Sequence, residues 1–243
     1  MITTQYDDSS YGDLIVEIGR LFIKKPYKAG TLEAPGKEKL IVNLSAFDCT
    51  TFVETVLALT RCAVAGNISR HEFRKNLKSI RYCQGKINGY SSRLHYFTDW
   101  LRDNEKKQFL IDASKILGGK PQRKKINFMT AHHELYAALG KKTQLAKMFV
   151  VEKNLSRKAI YIIEKVKVSA QKEKIKSGDI IAFATNQEGL DLAHVGFAFW
   201  QGQNLHLLHA SGKEGCVVIS KNTLAAYLKS NRKFTGIIVA RPK

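Results

Sequence analysis

The chain has 243 residues, 44% of them apolar and 25% charged, proportions that suit a folded globular protein and exclude a disordered one. Forty Lys and Arg against twenty-one Asp and Glu leave a net charge of +19, which attracts polyanions and anionic surfaces and says nothing about fold. No apolar run approaches the roughly 18–20 residues of a membrane span, and no heptad or internal repeat is sustained, which excludes coiled-coil and solenoid architectures as well.

Residues 1–8 are polar and acidic, without the basic start and apolar segment of a signal peptide. Residues 11–24 place Leu14, Ile15, Ile18, Leu21 and Phe22 on one stripe, which predicts an amphipathic helix. Two prolines and two glycines make 25–39 a loop. A short apolar stretch, 40–44, leads into a helix over 48–65 with Phe52, Val53, Val56, Leu57 and Ala63 facing the core. Helical patterns recur at 69–80 and 92–105, and more weakly at 107–117 and 131–148. Near residue 158 the character changes. Segments 160–168, 179–184, 195–200, 205–210, 217–219 and 235–240 are short, β-branched or aromatic, and bounded by Gly, Asn or Lys turns, with one helix, 222–230, among them. Helices first and strands afterwards predict an α+β fold on an antiparallel, partly barrel-like sheet. No linker divides the chain. It therefore reads as one domain, 1–243, with a helical insertion over about 66–157 and a sheet subdomain over about 158–243.

The four cysteines, Cys49, Cys62, Cys83 and Cys216, match no zinc or redox spacing, and a chain of this length needs no disulfide. Cys49 stands apart. With Asp48 as N-cap it falls in the first turn of the 48–65 helix, where unpaired backbone N–H groups and the helix dipole favour an anion. A thiol there is expected to ionise more readily than a free cysteine, and the same N–H groups suit the oxyanion of an acyl-transfer intermediate.

A thiol nucleophile needs a base and a group to orient that base. His194 and His209 lie on adjacent predicted strands, joined by Gln201-Gly202-Gln203-Asn204. A two- or four-residue loop gives one register, in which paired positions sum to 405. Gly196 then faces His209, and His194 becomes its diagonal neighbour, roughly 7–8 Å away at the backbone and within reach of two imidazoles. His206 falls on the opposite face. An odd loop length would exchange His206 for His209.

Three separated segments carry a resemblance. Phe47-Asp48-Cys49-Thr50-Thr51-Phe52-Val53 is similar to the nucleophile box of the NlpC-type cell-wall cysteine peptidases of the papain-like superfamily, usually Asp-Cys-Ser-Gly-Phe-Val. His194-Val195-Gly196-Phe197 is similar to their base strand, and Leu208-His209-Ala210-Ser211 to the segment bearing their third catalytic residue. Gly178-Asp179-Ile180-Ile181 also fits the family. Thr50-Thr51 in place of Ser-Gly and a span of about 145 residues between cysteine and base depart from it. The segment 90–100, with Gly189-Leu190-Asp191, resembles the N-acetylmuramoyl-L-alanine amidase-like branch.

The resemblance implies a papain-like core whose nucleophile helix packs on the sheet, and hydrolysis of an amide in peptidoglycan or its fragments. In this branch the bond joins N-acetylmuramic acid to L-alanine; the wider family cuts between D-glutamate and diaminopimelate. Cys49 would attack, His194 would move the proton and His209 would orient His194, with no metal or cofactor. Asp48, Asp191 and Ser211, beside those three, are expected to contact substrate. So are Arg93, Tyr96 and Trp100, at i, i+3 and i+7 of the 92–105 helix, whose aromatic and basic face suits a sugar and a carboxylate. A wall substrate implies a periplasmic or secreted protein, with cytoplasmic residence open, and nothing in the sequence requires more than a monomer.

Two other readings compete. His132-His133-Glu134 brings a zinc amidase to mind but lacks the spacing that places both histidines on one helix face. The charge of +19 prompts a nucleic-acid-binding module, yet no phosphate loop, zinc finger or helix-turn-helix accompanies it, so no nucleic acid partner is expected.

Overall fold

A computed structural model describes residues 8–243; the polar start on which the signal-peptide expectation rests, residues 1–7, lies outside the described residues. Its helices are α1 (Asp8–Arg20), α2 (Cys49–Val64), α3 (Arg70–Arg81), α4 (Phe97–Lys106), α5 (Phe128–Ala131), α6 (Lys142–Ser156), α7 (Val168–Gln171) and α8 (Leu224–Ser230). Its strands are β1 (Leu110–Asp112), β2 (Lys120–Gln122), β3 (Ile160–Glu164), β4 (Ile180–Thr185), β5 (Leu192–Gln201), β6 (Asn204–Ser211), β7 (Cys216–Ile219) and β8 (Phe234–Pro242). The fold is α+β. The strands form an antiparallel sheet in the order β2-β3-β8-β4-β5-β6-β7, with β1 beside β8.

Alternation along the strands sends successive side chains to opposite faces. Ile180 and Ala182 of β4, Val195 and Phe197 of β5, and Leu208 and Ala210 of β6 join the core under α1 and α2. Ile181 and Phe183, Ala198, Leu205 and Leu207 turn the other way, to Leu224 and Leu228 of α8. Helix α2 is buried almost all round, as a helix held between a sheet and another helix must be. Phe52 and Val56 are fully buried, the Thr60 hydroxyl donates to Val56 O at 2.9 Å, and Glu54 meets Arg81 of α3 at 2.6 Å.

The sheet is open. The partly barrel-like closure expected from the sequence is not formed, because the outer edge of β7 is taken by the chain that follows α1. Lys24 N–H bonds Val217 O, Val217 N–H bonds Lys25 O, and Tyr27 N–H bonds Gly215 O, all within 2.9 Å. A covered edge has no groups left to pair with β2.

The insertion departs most from the sequence pattern. Residues 107–117 are not helical; Leu110–Asp112 instead pair with the end of β8 as β1, tertiary pairing overriding a weak local preference. The helix expected over 92–105 begins only at Phe97, because Arg93 forms an antiparallel bridge with Tyr82 and Leu94 N–H bonds Arg81 O at 2.9 Å. The pattern at 131–148 divides into 3-10 turns and α6, which starts at Lys142 and runs on to Ser156.

Candidate active site

Helix α2 starts at Cys49 because Asp48 and Thr51 cap each other. The Asp48 carboxylate accepts the Thr51 N–H at 2.8 Å, and Thr51 Oγ1 accepts the Asp48 N–H at 3.0 Å. Thr51, a departure from the usual Gly, thus completes a capping box. Phe52 N–H makes the first intrahelical bond, to Asp48 O at 3.0 Å. The Cys49 N–H keeps no acceptor among the described residues, as expected of a first-turn donor.

The Cys49 thiol is half-buried and free. Backbone N–H groups of Val195 and Thr50 turn toward its sulfur, and the Thr50 hydroxyl lies 4.0 Å away. These contacts favour the thiolate, yet burial and then the Asp48 carboxylate push the thiol up to about 11. The first-turn position was expected to do the reverse. Two causes outweigh the helix start: the sulfur is desolvated, and the cap beside it is itself an anion.

Strands β5 and β6 pair in the register deduced from the sequence. Phe197 faces Leu208, Phe199 faces His206, and Gln201 faces Asn204 across a two-residue loop with Gly202 at φ +57°. One step further in, a Cβ on Gly196 would stand 2.7 Å from the His209 Cβ, so only glycine admits His209 there. His194 Nε2 and His209 Nδ1 are 2.7 Å apart, a hydrogen bond in which one imidazole donates to the other, with the rings edge to face. Burial pushes both below the usual histidine range, His194 to about 3 with His209 as a second cause, and His209 to about 4. Both are therefore neutral at pH 7. His194 Nδ1 has no hydrogen-bond partner among the described residues. His206 lies away from this pair, with Nδ1 on Ser220 O at 2.9 Å.

His194 enters the site through a β-bulge. Phe183 pairs with His194 but Ala184 pairs with Leu192, so Ala193 is an extra residue on β5. Bulges of this kind re-aim a neighbouring side chain.

Tyr227 of α8 completes the cluster. Its ring meets His209 edge to face at 5.4 Å and His194 at 6.3 Å, and its phenol is pushed up to about 12 by burial first and Cys49 second. Tyr27 is also raised, by burial, then Cys49, then Asp48. The structure thus gathers Cys49, His194 and His209 about Tyr227, although sulfur and rings make no hydrogen bond with each other among the described residues. The sequence reading named neither tyrosine; Tyr227 was visible only as part of an apolar helix. A cavity of about 570 Å³ opens beside the cluster, lined by His209, Ser211, Tyr227 and Phe234 together with the β6–β7 turn.

The remaining predicted residues have other surroundings. Asp191 is buried and accepts the Thr98 N–H at 2.8 Å and the Thr98 hydroxyl at 3.0 Å, tying the start of α4 to the strand that carries His194. Ser211 accepts the Glu214 N–H at 3.1 Å within the β6–β7 turn. Arg93, Tyr96 and Trp100 do not share a helix face. Trp100 is 1% exposed and stacks on Phe97 in the main core. The Tyr96 hydroxyl donates to buried Glu152 at 2.7 Å. Arg93 is buried against Glu33 at 2.6 Å, on the wall of a separate cavity of about 580 Å³ that none of the three clustered groups lines. The charge pattern gave no hint of these partners, which lie some sixty residues away in sequence.

Over residues 17–237 the chain matches the family model described as AmiA-like, N-acetylmuramoyl-L-alanine amidase-like. No curated protein matches it. It is similar to the crystal structure of an N-acetylmuramoyl-L-alanine amidase from Bacteroides uniformis ATCC 8492, with 42% identity, a TM-score of 0.91, and coverage of 96% of this chain and 99% of that one. It is also similar to the structure of a putative xylanase from Bacteroides fragilis, with 42% identity, a TM-score of 0.87, and coverage of 93% and 99%. A Legionella pneumophila protein shares the fold at 23% identity and a TM-score of 0.72, with coverage of 96% and 89%.

Proposed function

Because the chain belongs to the AmiA-like, N-acetylmuramoyl-L-alanine amidase-like family, we propose that it hydrolyses the amide between N-acetylmuramic acid and L-alanine with Cys49 as nucleophile. The observation that carries this reading is the His194–His209 hydrogen bond on a hairpin whose Val195 N–H turns toward the sulfur of a cysteine at a helix start. Of the two activities named among its structural relatives, a xylanase would need a pair of carboxylates at the scissile bond. A thiol and two imidazoles are the equipment of acyl transfer.

His194 Nδ1 takes the thiol proton as sulfur attacks the carbonyl carbon. The developing oxyanion is met by the free Cys49 N–H at the start of α2, where the helix dipole adds to it. His194 then returns the proton to the nitrogen of L-alanine as the C–N bond breaks, leaving a muramoyl thioester on Cys49. Water, deprotonated by His194, hydrolyses that thioester and frees the thiol. His209 fixes the tautomer and the ring plane of His194 throughout. Thiol and imidazoles rest neutral, so proton transfer accompanies attack rather than preceding it. This is the chemistry of the NlpC-type enzymes on their papain-like core, and we take the whole chain as one catalytic unit of that kind. A wall polymer as substrate places its work in the periplasm or outside the cell.

Incubation with purified muropeptides and mass spectrometry of the products tests the reading. Release of intact stem peptide from muramic acid by the wild type, and none by Cys49→Ala, is expected. Unchanged release by Cys49→Ala would overturn it, and scission inside the stem would replace the bond while keeping the chemistry.

A further inference from the structure

We propose that the 570 Å³ cavity beside His209 is the subsite for the leaving peptide, and that Lys213, Lys221 and Arg232 select stems carrying free carboxylates. The inference rests on the amidase reading above and deepens it.

Its direction follows from the chemistry. The imidazole that protonates the leaving nitrogen must lie on the leaving-group side of the scissile bond. The peptide beyond that nitrogen therefore extends past His194 and His209, not back along α2. On that side the wall of the cavity is His209, Ser211 and Tyr227, and its rim is built by the β6–β7 turn and the ends of α8. Its volume lies within the range of small-ligand sites, roughly 300–1,000 Å³.

The charge follows from the rim. Lys213, Lys221 and Arg232 all line the cavity, against one acid, Glu214. All three cations are exposed, and none is ion-paired among the described residues. The buried arginines elsewhere are matched: Arg81 by Glu54, Arg93 by Glu33 and Glu38. Three unmatched cations around a concave site that receives a peptide select an anionic one, and they do so in the ground state as well as the transition state. Their loss is therefore read in KM rather than kcat.

The test compares N-acetylmuramoyl-tripeptide with its carboxylates free against the same compound with them amidated, for wild type and for the triple variant Lys213→Gln, Lys221→Gln, Arg232→Gln. The wild type should prefer the free acid. The variant should raise KM for the free acid tenfold or more, raise it less than threefold for the amide, and change kcat by less than threefold. A control, Lys142→Gln with Lys147→Gln on the outer side of α6, separates this local effect from the general +19 field; it should shift both substrates equally and little. Should wild type show no preference, or should the triple variant act like the α6 control, the subsite assignment fails while the amidase reading stands. Cleavage of neither compound by wild type would remove both.

Discussion

Hairpin β5–β6 with the first turn of α2, and the ground between the body of α2, α3 and the insertion, hold buried polar groups under opposite conditions. In the second region each charge has a partner fixed at close range: Arg81 bonds Glu54 and the carbonyl of Ile41, both at 2.6 Å, and Glu152 gathers Tyr96 and Thr130. At the hairpin and the start of α2 two polar groups are left over. His194 Nδ1 on β5 and the Cys49 N–H at the start of α2 have no protein partners among the described residues. The contrast teaches where chemistry resides. Matched groups hold a shape, and unmatched ones are free for chemistry.

The sharpest way to break this contrast is to remove the sulfur. Cys49→Ala should lower turnover by roughly four orders of magnitude or more while the unfolding midpoint in urea hardly moves. A large loss of stability with activity intact would make the hairpin and the start of α2 the structural region. The converse is Arg81→Ala, which strands Glu54 in a buried site; it should cost about 3–5 kcal/mol in urea unfolding. A cost below about 1 kcal/mol would show that the pair is not as isolated from water as its burial indicates.

Proton linkage separates the regions more gently. His209 takes up its proton near pH 4 when folded and near 6.5 when unfolded, so between those values the unfolded chain binds more protons. The stability this contributes is complete above about pH 6.5 and is lost as pH falls toward 4, by up to about 3 kcal/mol. Urea midpoints measured across that window should decline for the wild type and decline less for His209→Asn. Equal slopes would mean that His209 is not buried neutral.

Smaller effects sharpen the roles within the hairpin. His209→Ala should reduce kcat by roughly 10–100-fold, as loss of an orienting partner does, and less than His194→Ala. His206→Ala should stay within twofold of wild type, since its ring is turned to Ser220. A deeper loss at His206 than at His209 would contradict the pairing of the two strands.

These two regions were also unequally legible. The hairpin could be read because its geometry is local arithmetic: a short loop sets the register, and the register sets which histidines share a face. Helix α2 could be read for the same reason, from Asp48 and the apolar stripe after it. What the sequence did not disclose was set by distance. Arg93 and Glu33 are sixty residues apart, Tyr96 and Glu152 fifty-six, and no periodicity links them. Tyr96 and Trp100 looked like a sugar-binding face because helical spacing counts neighbours within one element; the core that absorbs Trp100 comes from others. The raised thiol is hidden from the sequence because its first cause, burial, comes from other elements, and its second, Asp48, reads locally as a cap.

Ala193 holds a further lesson. Leu192 and Val195 both pack into the core beneath α2, although three positions apart on a pleated strand they should lie on opposite sides. The extra residue between them acts as a half-step in phase. Upstream of it β5 keeps time with the insertion, through Asp191; downstream it keeps time with the imidazoles. A chain lacking that single alanine would have to choose between anchoring α4 and aiming His194.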